Sequence, residues 1–148
     1  MTESQPNVDS SNVVARAFRF RRGDDLRKTF ETTAVECGID AGCIGSSVGS
    51  LSKAKIRLAG QQEPLAIDGP LEVLFLSGTV GIGGVHLHMM VADSQGTCVG
   101  GHVVEGCIIY TTLEVVILQL AGHKFARLND STTGFMELLV QSQKPEDG

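Results

Sequence analysis

The fold is decided by residues 84–117, whose sequence is GVHLHMMVADSQGTCVGGHVVEGCIIYTTLEVVI. Residues 85–92 are typical of a strand, and the run DSQG at 93–96 predicts a hairpin turn with a glycine where a positive φ angle costs little. The chain then returns through 97–104, and the β-prone run 107–120 contains one or two further strands. Short strands joined by hairpin turns predict an antiparallel sheet.

The N-terminal part of the chain predicts one strand followed by one helix. Apolar and polar residues partly alternate in 13–22 (VVARAFRFRR), as expected for a strand. Asp24 is a candidate N-cap for a helix over 24–37, and Gly38 suits the left-handed position that often ends a helix. The helix is expected to carry one apolar stripe, formed by Leu26, Phe30, Ala34 and Cys37.

The remaining segments predict further strands. Residues 41–50 are small and apolar, which is typical of a tightly packed buried strand, and residues 52–59 alternate as a half-buried strand does. We expect a loop over 61–70, a strand over 71–80 and, after a weakly patterned stretch, a final strand at about 135–140. The predicted fold class is therefore α+β, a mainly antiparallel sheet with one or few helices.

Length and composition fit one domain. The sequence has 148 residues, 42% of them apolar and 20% charged, which is enough to build a core. We expect a domain over 12–141 between disordered polar tails at 1–11 and 142–148. No apolar run reaches the ~20 residues of a membrane-spanning helix, and the N-terminus has no secretory pattern, so we expect a cytoplasmic protein without a membrane segment. The four cysteines are expected to be small buried residues: Cys37, Cys43, Cys98 and Cys107.

Three of the four histidines lie within seventeen residues of sequence. His86 and His88 form an H-x-H pair on a predicted strand, where residues two apart share one face at a separation of ~6–7 Å. His102 lies on the next strand of the hairpin and is therefore expected beside the pair. Three neutral imidazoles with an open fourth position are the usual ligands of a catalytic or exchangeable zinc site. The spacing makes these three histidines candidate ligands of zinc.

A structural interpretation of the histidines stays open at this point, because a histidine among apolar strand residues is often a hydrogen-bonded core or interface residue. His123 stands apart and is expected at the surface near a turn. The sequence GIGGVH at 81–86 lacks the Gly-Lys-Ser/Thr ending of a phosphate loop, and there is no GxSxG motif.

Two glutamates are candidate catalytic acids, Glu105 and Glu114. Glu114 lies in the apolar run TTLEVVIL, where an unpaired carboxylate is costly. It could pair with a basic group at a subunit contact, accept a hydrogen bond from a histidine, or lie at an edge or interface. Asp93 is interpreted as a turn residue.

Two groups of basic residues are expected to be solvated surface. They are Lys53, Lys55 and Arg57 on one strand face, and Arg16, Arg19, Arg21 and Arg22 near the first strand. No aromatic residues are interleaved with them for base stacking. The formal net charge of −5 opposes nonspecific binding to a phosphate backbone, so direct DNA binding is doubtful.

Several separated motifs, taken in order, resemble the Plants and Prokaryotes Conserved (PPC) domain family. They are LRKTF (26–30), GIDAGCIGSSVGSLSKAKIRL (38–58), LEVLFLSGTV (71–80), the stretch 84–117 and FARLNDSTTGFMEL (125–138). The resemblance covers about residues 13–140. It implies a compact α+β domain with a mainly antiparallel sheet, assembled as a homotrimer.

The same resemblance implies that His86, His88 and His102 are the clustered histidines of the family, which hold zinc in some prokaryotic members. The fold is also similar to that of zinc-dependent acetolactate decarboxylase, a likeness that says little about substrate. The family carries a DNA-binding label, but in plant members the DNA contact lies in a basic Arg-Gly-Arg-Pro hook beside the domain. This sequence has Arg22-Gly23-Asp24-Asp25 instead, so the label is expected to transfer poorly.

Three functions follow as hypotheses. The first is a trimeric binding or regulatory module with a three-histidine zinc site, acting through a protein partner or a small ligand. The second is a zinc-dependent lyase or hydrolase on a small oxygenated substrate, with Glu105 or Glu114 as proton carrier. The third is direct DNA binding, which the net charge and the missing hook disfavour.

Overall fold

The computed structural model describes residues 12–142, which contain one helix and eight strands. The helix is α1 (Leu26–Glu36). The strands are β1 (Val13–Arg21), β2 (Gly42–Arg57), β3 (Leu65–Gly81), β4 (Gly84–Ala92), β5 (Cys98–Val103), β6 (Ile108–Leu120), β7 (His123–Asn129) and β8 (Met136–Ser142). The predicted tails lie outside the described residues, apart from Ser142, which ends β8. Within this part of the chain, no helix is long and apolar enough to cross a membrane.

Six strands form one antiparallel sheet in the order β1-β6-β2-β3-β4-β5, and β7 pairs with β8 in a separate two-stranded sheet. The larger sheet curls back on itself, because the end of β2 also pairs with β5. In that pairing Ile56 lies opposite Val103, and Arg57 lies opposite His102. Strands β2 to β5 thereby form a closed ring. The predicted α+β class with a mainly antiparallel sheet is confirmed.

The sheet and helix α1 enclose one apolar core. Along β4, buried apolar residues alternate with His86 and His88, which therefore face the outside of the sheet. The helix contributes the fully buried side chains of Leu26, Phe30 and Ala34. The predicted apolar stripe is confirmed for these three residues, whereas Cys37 is the helix C-cap and only partly buried.

Helix α1 is shorter at its N-terminus than the predicted span 24–37, because Asp25 rather than Asp24 is the N-cap. The Oδ1 atom of Asp25 accepts a hydrogen bond from the backbone N–H of Lys28 at 3.1 Å, and its Oδ2 atom accepts one from the N–H of Gly106 at 2.7 Å. One carboxylate thus caps the helix and ties it to the turn before β6. Gly38 has a φ angle of +62°, as predicted for a residue that ends a helix.

Two boundaries predicted in the middle of the chain are wrong. Most of residues 41–50 and 52–59 belong to one continuous strand, β2, whose pairing with β3 is irregular at Ser52. The loop predicted over 61–70 is shorter, since β3 begins at Leu65. Pro70 falls within β3 opposite that irregularity, where a strand tolerates a residue with no N–H to donate.

The C-terminal hairpin is the largest departure from the predicted elements. Residues 123–129, in the stretch after Gly122 where no strand was predicted, form β7, and the strand predicted at 135–140 is β8. The hairpin is anchored to the rest of the domain by Phe125, whose side chain is buried and whose N–H donates to the carbonyl oxygen of Asp40 at 3.0 Å. This anchor brings β7 and β8 against the outer face of the ring.

Candidate metal centre

Three histidine side chains meet on the outer face of the ring. His86 and His88 face outward from β4, and His102 lies on β5 directly opposite His88. One ring nitrogen from each histidine lies within 4.8 Å of the other two. The structure therefore brings together the three residues that their placement on one hairpin predicts to be neighbours.

The geometry of this group fits a metal ion. The Nε2 atoms of His86 and His88 are 3.3 Å apart. In a tetrahedral zinc site with Zn–N distances of ~2.0–2.1 Å, two ligand nitrogens are separated by about 3.3–3.4 Å. The third ring, His102, has its centroid 5.0 Å from that of His86 and 5.6 Å from that of His88. A group of three histidines in this arrangement could hold a metal ion and leave one coordination position open.

Burial favours the neutral form of two of the imidazoles. The pKa of His86 is lowered, first by burial and then by the charges of His88 and Arg127. Burial, followed by the charges of His86 and Arg57, lowers the pKa of His102 to about 4. A neutral imidazole carries the free lone pair that a metal ion requires, whereas an imidazolium ion has none. The electrostatics of the site thus suit metal coordination.

Two glycines allow the strands to carry these histidines close together. A Cβ atom at Gly78 of β3 would overlap the carbonyl oxygen of His86, and one at Gly101 of β5 would lie 2.6 Å from the carbonyl oxygen of Arg57. Gly78 also has a φ angle of +149°, in the region that favours glycine. Because Gly101 immediately precedes His102, the close approach of β5 to β2 fixes the position of that histidine.

Arg27 of helix α1 connects the two strands that carry the histidines. Its Nη1 atom donates to the carbonyl oxygen of Val103 at 3.3 Å, and its Nη2 atom donates to the carbonyl oxygen of Val85 at 3.5 Å. These two valines are the chain neighbours of His102 and His86. One guanidinium thus holds the backbone of β4 and β5 beside the site, although sequence analysis did not single out Arg27.

A cavity of about 520 Å³ opens between the histidines and the β7–β8 hairpin. His86 and His102 form part of its wall. Its charged lining residues are Arg27, Arg57, Arg127 and Glu137. A second depression of about 330 Å³ adjoins His86 and His88 and is lined by β3 residues that include Phe75. The histidine group therefore borders two concavities of the size that binds small molecules.

The two predicted catalytic acids do not belong to the histidine group. Glu105 is exposed and forms an ion pair with Lys28 at 3.1 Å. Glu114 is exposed on β6, opposite Arg19, and lines a separate depression. Glu114 lies on the outer face of the sheet in the single chain, and its expected place at a subunit interface stays a prediction. The acid that lines the cavity beside the histidines is Glu137.

The structure contradicts the predicted position of His123 and confirms the predicted role of Asp93. His123, expected at the surface, is buried with 7% exposure, and its Nδ1 atom lies 3.1 Å from the carbonyl oxygen of the residue two positions earlier. It begins β7 and shares the inward face of that strand with Phe125. Asp93 is confirmed as a turn residue, because its carboxylate accepts hydrogen bonds from the backbone N–H groups of Gln95 and Thr97.

The basic residues and the cysteines also divide into different environments. Lys53 is exposed as predicted, but Arg57 on the same strand is half-buried and lines the cavity, so it is not simply solvated surface. On and after β1, three arginines are exposed: Arg19, Arg21 and Arg22.

All four cysteines are free. Cys107 is buried, whereas Cys98 is exposed, so the expectation of a buried residue is wrong for Cys98.

Sequence analysis missed Arg27, Arg127 and Glu137 as site residues. They come from helix α1 and from the C-terminal hairpin, which no local pattern links to the H-x-H motif. The alternation in HKFARLN at 123–129 is the signal that was available for Arg127. This residue shares the face of Phe125, and therefore points toward the ring once the segment is taken as a strand.

The chain matches known proteins over most of its length. The sequence model of the Plants and Prokaryotes Conserved (PCC) domain matches residues 10–121. A solved structure of a hypothetical protein from Salmonella cholerae-suis is similar with a TM-score of 0.87 at 32% identity, covering 92% of this chain and 99% of that one. A metal-containing protein from Archaeoglobus fulgidus is similar with a TM-score of 0.72 at 30% identity, covering 85% of this chain and 93% of that one.

One curated relative is much longer than this chain, and the match covers only part of that relative. Bifunctional protein GlmU from Synechococcus sp. (strain JA-3-3Ab) is 44% identical over 123 residues, which are 83% of this chain and 20% of that protein. The chain spans about a fifth of the length of the curated relatives that it matches.

The chain belongs to the Plants and Prokaryotes Conserved domain family, as the order of its motifs predicts.

Proposed function

We propose that the protein is a homotrimeric module whose three histidines, His86, His88 and His102, hold a zinc ion, and that it acts by binding a small ligand or a protein partner. The observation that carries the metal site is the 3.3 Å separation of the Nε2 atoms of His86 and His88, with a nitrogen of His102 within 4.8 Å of both. The separation of the two Nε2 atoms is that of two ligands around one tetrahedral ion, and His102 lies near enough to supply a third ligand.

The ligand set favours a transition metal such as zinc over magnesium and calcium. Three imidazoles suit zinc, copper, iron or nickel, whereas magnesium and calcium take oxygen ligands. A relative from Archaeoglobus fulgidus, 30% identical, is described as a metal-containing protein. When bound, zinc would polarise an oxygen atom of a ligand at its open position. The chain itself supplies the fixed register of β4 and β5 and the Arg27 contacts that hold both strands.

Exposed apolar residues support assembly with further copies of the chain. Phe75 on β3 and Met90 on β4 lie directly opposite each other and are 54% and 38% exposed. Phe135 and Met136 on the C-terminal hairpin are 64% and 58% exposed. Single exposed apolar residues are ordinary, whereas contiguous exposed apolar patches mark contact surfaces. We propose that subunit contacts in a trimer cover part of this surface.

The same proposal places the protein in the cytoplasm and assigns its contacts to a partner or ligand rather than to DNA. The four free cysteines suit a reducing compartment. The net charge of −5 works against an interface driven by phosphate contacts.

A second candidate function is a zinc-dependent lyase or hydrolase acting on a small oxygenated substrate. The observation that favours it is the position of Glu137, which lines the same cavity as His86 and His102. A glutamate in that cavity is a candidate proton carrier, a role that the sequence had suggested for Glu105 or Glu114. If the protein turns over such a substrate, and Glu137→Gln abolishes that turnover while the zinc content is unchanged, the enzyme is favoured over a module that only binds.

Elemental analysis tests the metal site. The protein is purified without a histidine tag and without added metal, and its metal content is measured beside that of a His86→Ala/His88→Ala double variant. We expect near-stoichiometric zinc in the natural sequence and none in the double variant, because one remaining imidazole does not hold the ion.

The matched control is His123→Gln, which removes the one histidine outside the group. Its zinc content should equal that of the natural sequence. A natural-sequence protein that carries no metal and takes up none when titrated with zinc would refute the proposal, and so would equal zinc contents in the double variant and the control.

A further inference from the structure

The cavity between the histidine group and the β7–β8 hairpin is positively charged, although the protein as a whole is acidic. The sequence as a whole has a net charge of −5. The charged residues that line the cavity are three arginines and one glutamate, a net charge of +2 before any metal ion is counted. Positive charge concentrated in a recess of an acidic protein attracts anions to that recess.

The three arginines differ in how far their charge is already used. Arg27 is fully engaged, since its Nε atom pairs with Glu31 at 3.0 Å and its other two nitrogens donate to backbone carbonyls. Its function is to hold the two histidine strands. The charge available to a ligand therefore belongs to the other two arginines.

Arg57 and Arg127 are half-buried and have no carboxylate partner among residues 12–142. Arg127 donates one hydrogen bond, from Nη2 to the hydroxyl of Thr79 at 2.7 Å, which orients the guanidinium and leaves its other N–H groups available. Burial lowers the pKa of Arg127, while the nearby Glu137 acts in the opposite direction. Partly desolvated guanidinium groups without a paired carboxylate gain most from an anionic ligand.

Both arginines border the histidine group. Arg57 lies directly opposite His102 in the pairing of β2 with β5, and His102 lies opposite His88, so the three residues form one row across the sheet. Arg127 reaches Thr79, which lies opposite His86 in the pairing of β3 with β4. The two guanidinium groups thus approach the metal site from different strands and enclose the same cavity.

We infer that this cavity binds a small organic anion, with Arg57 and Arg127 holding its carboxylate or phosphate oxygens beside the ion on the three histidines. The inference deepens the proposed function, because it names the ligand class of the same site, but its arginine component is measurable apart from the metal. A cavity of about 520 Å³ accommodates a small molecule. A nucleic acid is disfavoured, because the two arginines lie in a recess rather than along an exposed stripe.

The experiment uses the purified protein, with its metal content measured, and two probes, malonate and inorganic phosphate, titrated calorimetrically at constant ionic strength. We expect Arg57→Gln and Arg127→Gln each to raise the Kd of the bound probe by about tenfold, with zinc content unchanged. Lys53→Gln removes an exposed charge from the same strand as Arg57, outside the cavity, and should change the Kd by less than about twofold. Circular dichroism verifies that each variant is folded.

The two probes separate the sources of the anion, since preference for malonate indicates a carboxylate ligand and preference for phosphate indicates a phosphate ester. Failure of both probes to bind, equal binding by the arginine variants, or an equal loss in Lys53→Gln would overturn the inference. Displacement of the probe by duplex DNA would assign the arginines to nucleic acid and overturn it as well. Arginine-dependent binding to a protein that holds no metal would contradict the zinc site while leaving the anion site supported.

Discussion

Gly101 immediately precedes His102 on β5. The backbone of β2 passes so close to Gly101 that it leaves no room for a methyl group there. A Cβ atom there would be 2.6 Å from the carbonyl oxygen of Arg57. We expect Gly101→Ala to reduce the free energy of unfolding by about 1–3 kcal/mol, because β5 must move away from β2. Zinc affinity should fall as well, because His102 moves with β5. Urea unfolding and a competitive zinc titration measure the two effects.

The neighbouring glycine provides the control for that substitution. A Cβ atom at Gly100 would lie 3.1 Å from the carbonyl oxygen of Met89, a contact that a small shift relieves. Both substitutions add the same methyl group to the same strand, so the difference between them reports the contact with β2. Equal losses of stability and zinc affinity in the two variants would show that the β2–β5 approach does not position His102.

At the scale of single residues, sequence reasoning succeeded where the geometry is local. His86, His88 and His102 could be grouped because the alternation of a strand and the register of one hairpin fix which residues are neighbours. Arg127 could not be grouped with them, because its place depends on the anchoring of β7 by Phe125. Glu114 is exposed although its sequence neighbours are apolar, because successive residues of β6 face opposite sides of the sheet.

Helix α1 supports the candidate metal site through one side chain. Arg27 donates to the carbonyl oxygens of Val85 and Val103, one on each histidine strand. We expect Arg27→Met to weaken zinc binding by about threefold to tenfold and to lower the free energy of unfolding by about 1–2 kcal/mol, because two carbonyl groups lose a charged donor. A zinc titration and urea unfolding measure these changes, although Arg27 is not expected to contact the ion.

Lys28→Met is the matched control on the same helix. Lys28 forms an ion pair with Glu105 in which both side chains are 60% exposed, and such pairs contribute little to stability. Zinc affinity should therefore be unchanged in this variant. If Lys28→Met weakened zinc binding as much as Arg27→Met, the effect would reflect the charge of the helix and not the two backbone contacts.

At the scale of elements, the helix and the hairpin of β4 and β5 were predictable because each has a clear period and a recognisable end. Strands β2 and β3 run longer than predicted, because an irregularity in pairing carries β2 past Ser52 and lets β3 include Pro70. Strand β7 was missed because only two of its residues are buried, His123 and Phe125, which leaves a weak alternation.

The proposed trimer makes a prediction for the molecule as a whole. We expect Phe75→Glu to reduce the mass measured by light scattering from that of a trimer to that of a monomer, because a charge would replace an apolar side chain paired with Met90. Val35→Glu is the control, since Val35 is 61% exposed on helix α1 and receives the same change. A natural sequence that is monomeric at micromolar concentration would contradict the trimer directly.

The closure of the ring is the feature of the whole molecule that sequence could not predict. Pairing between the end of β2 and β5 places Arg57 opposite His102, although the two residues are distant in the chain. Sheet order of this kind depends on which strand edges meet after folding, and hairpin signals alone do not specify it. The cavity lies between β2, β5 and the C-terminal hairpin, so no single segment of the sequence predicts it.

Anomalous X-ray diffraction at the zinc absorption edge, from crystals of the zinc-loaded protein, shows which residues bind the ion. We expect one strong peak per chain at ~2.0–2.1 Å from a ring nitrogen of each of His86, His88 and His102. A map with no peak at the three histidines, or with a peak bound by other residues while the histidines remain without an ion, would contradict this expectation.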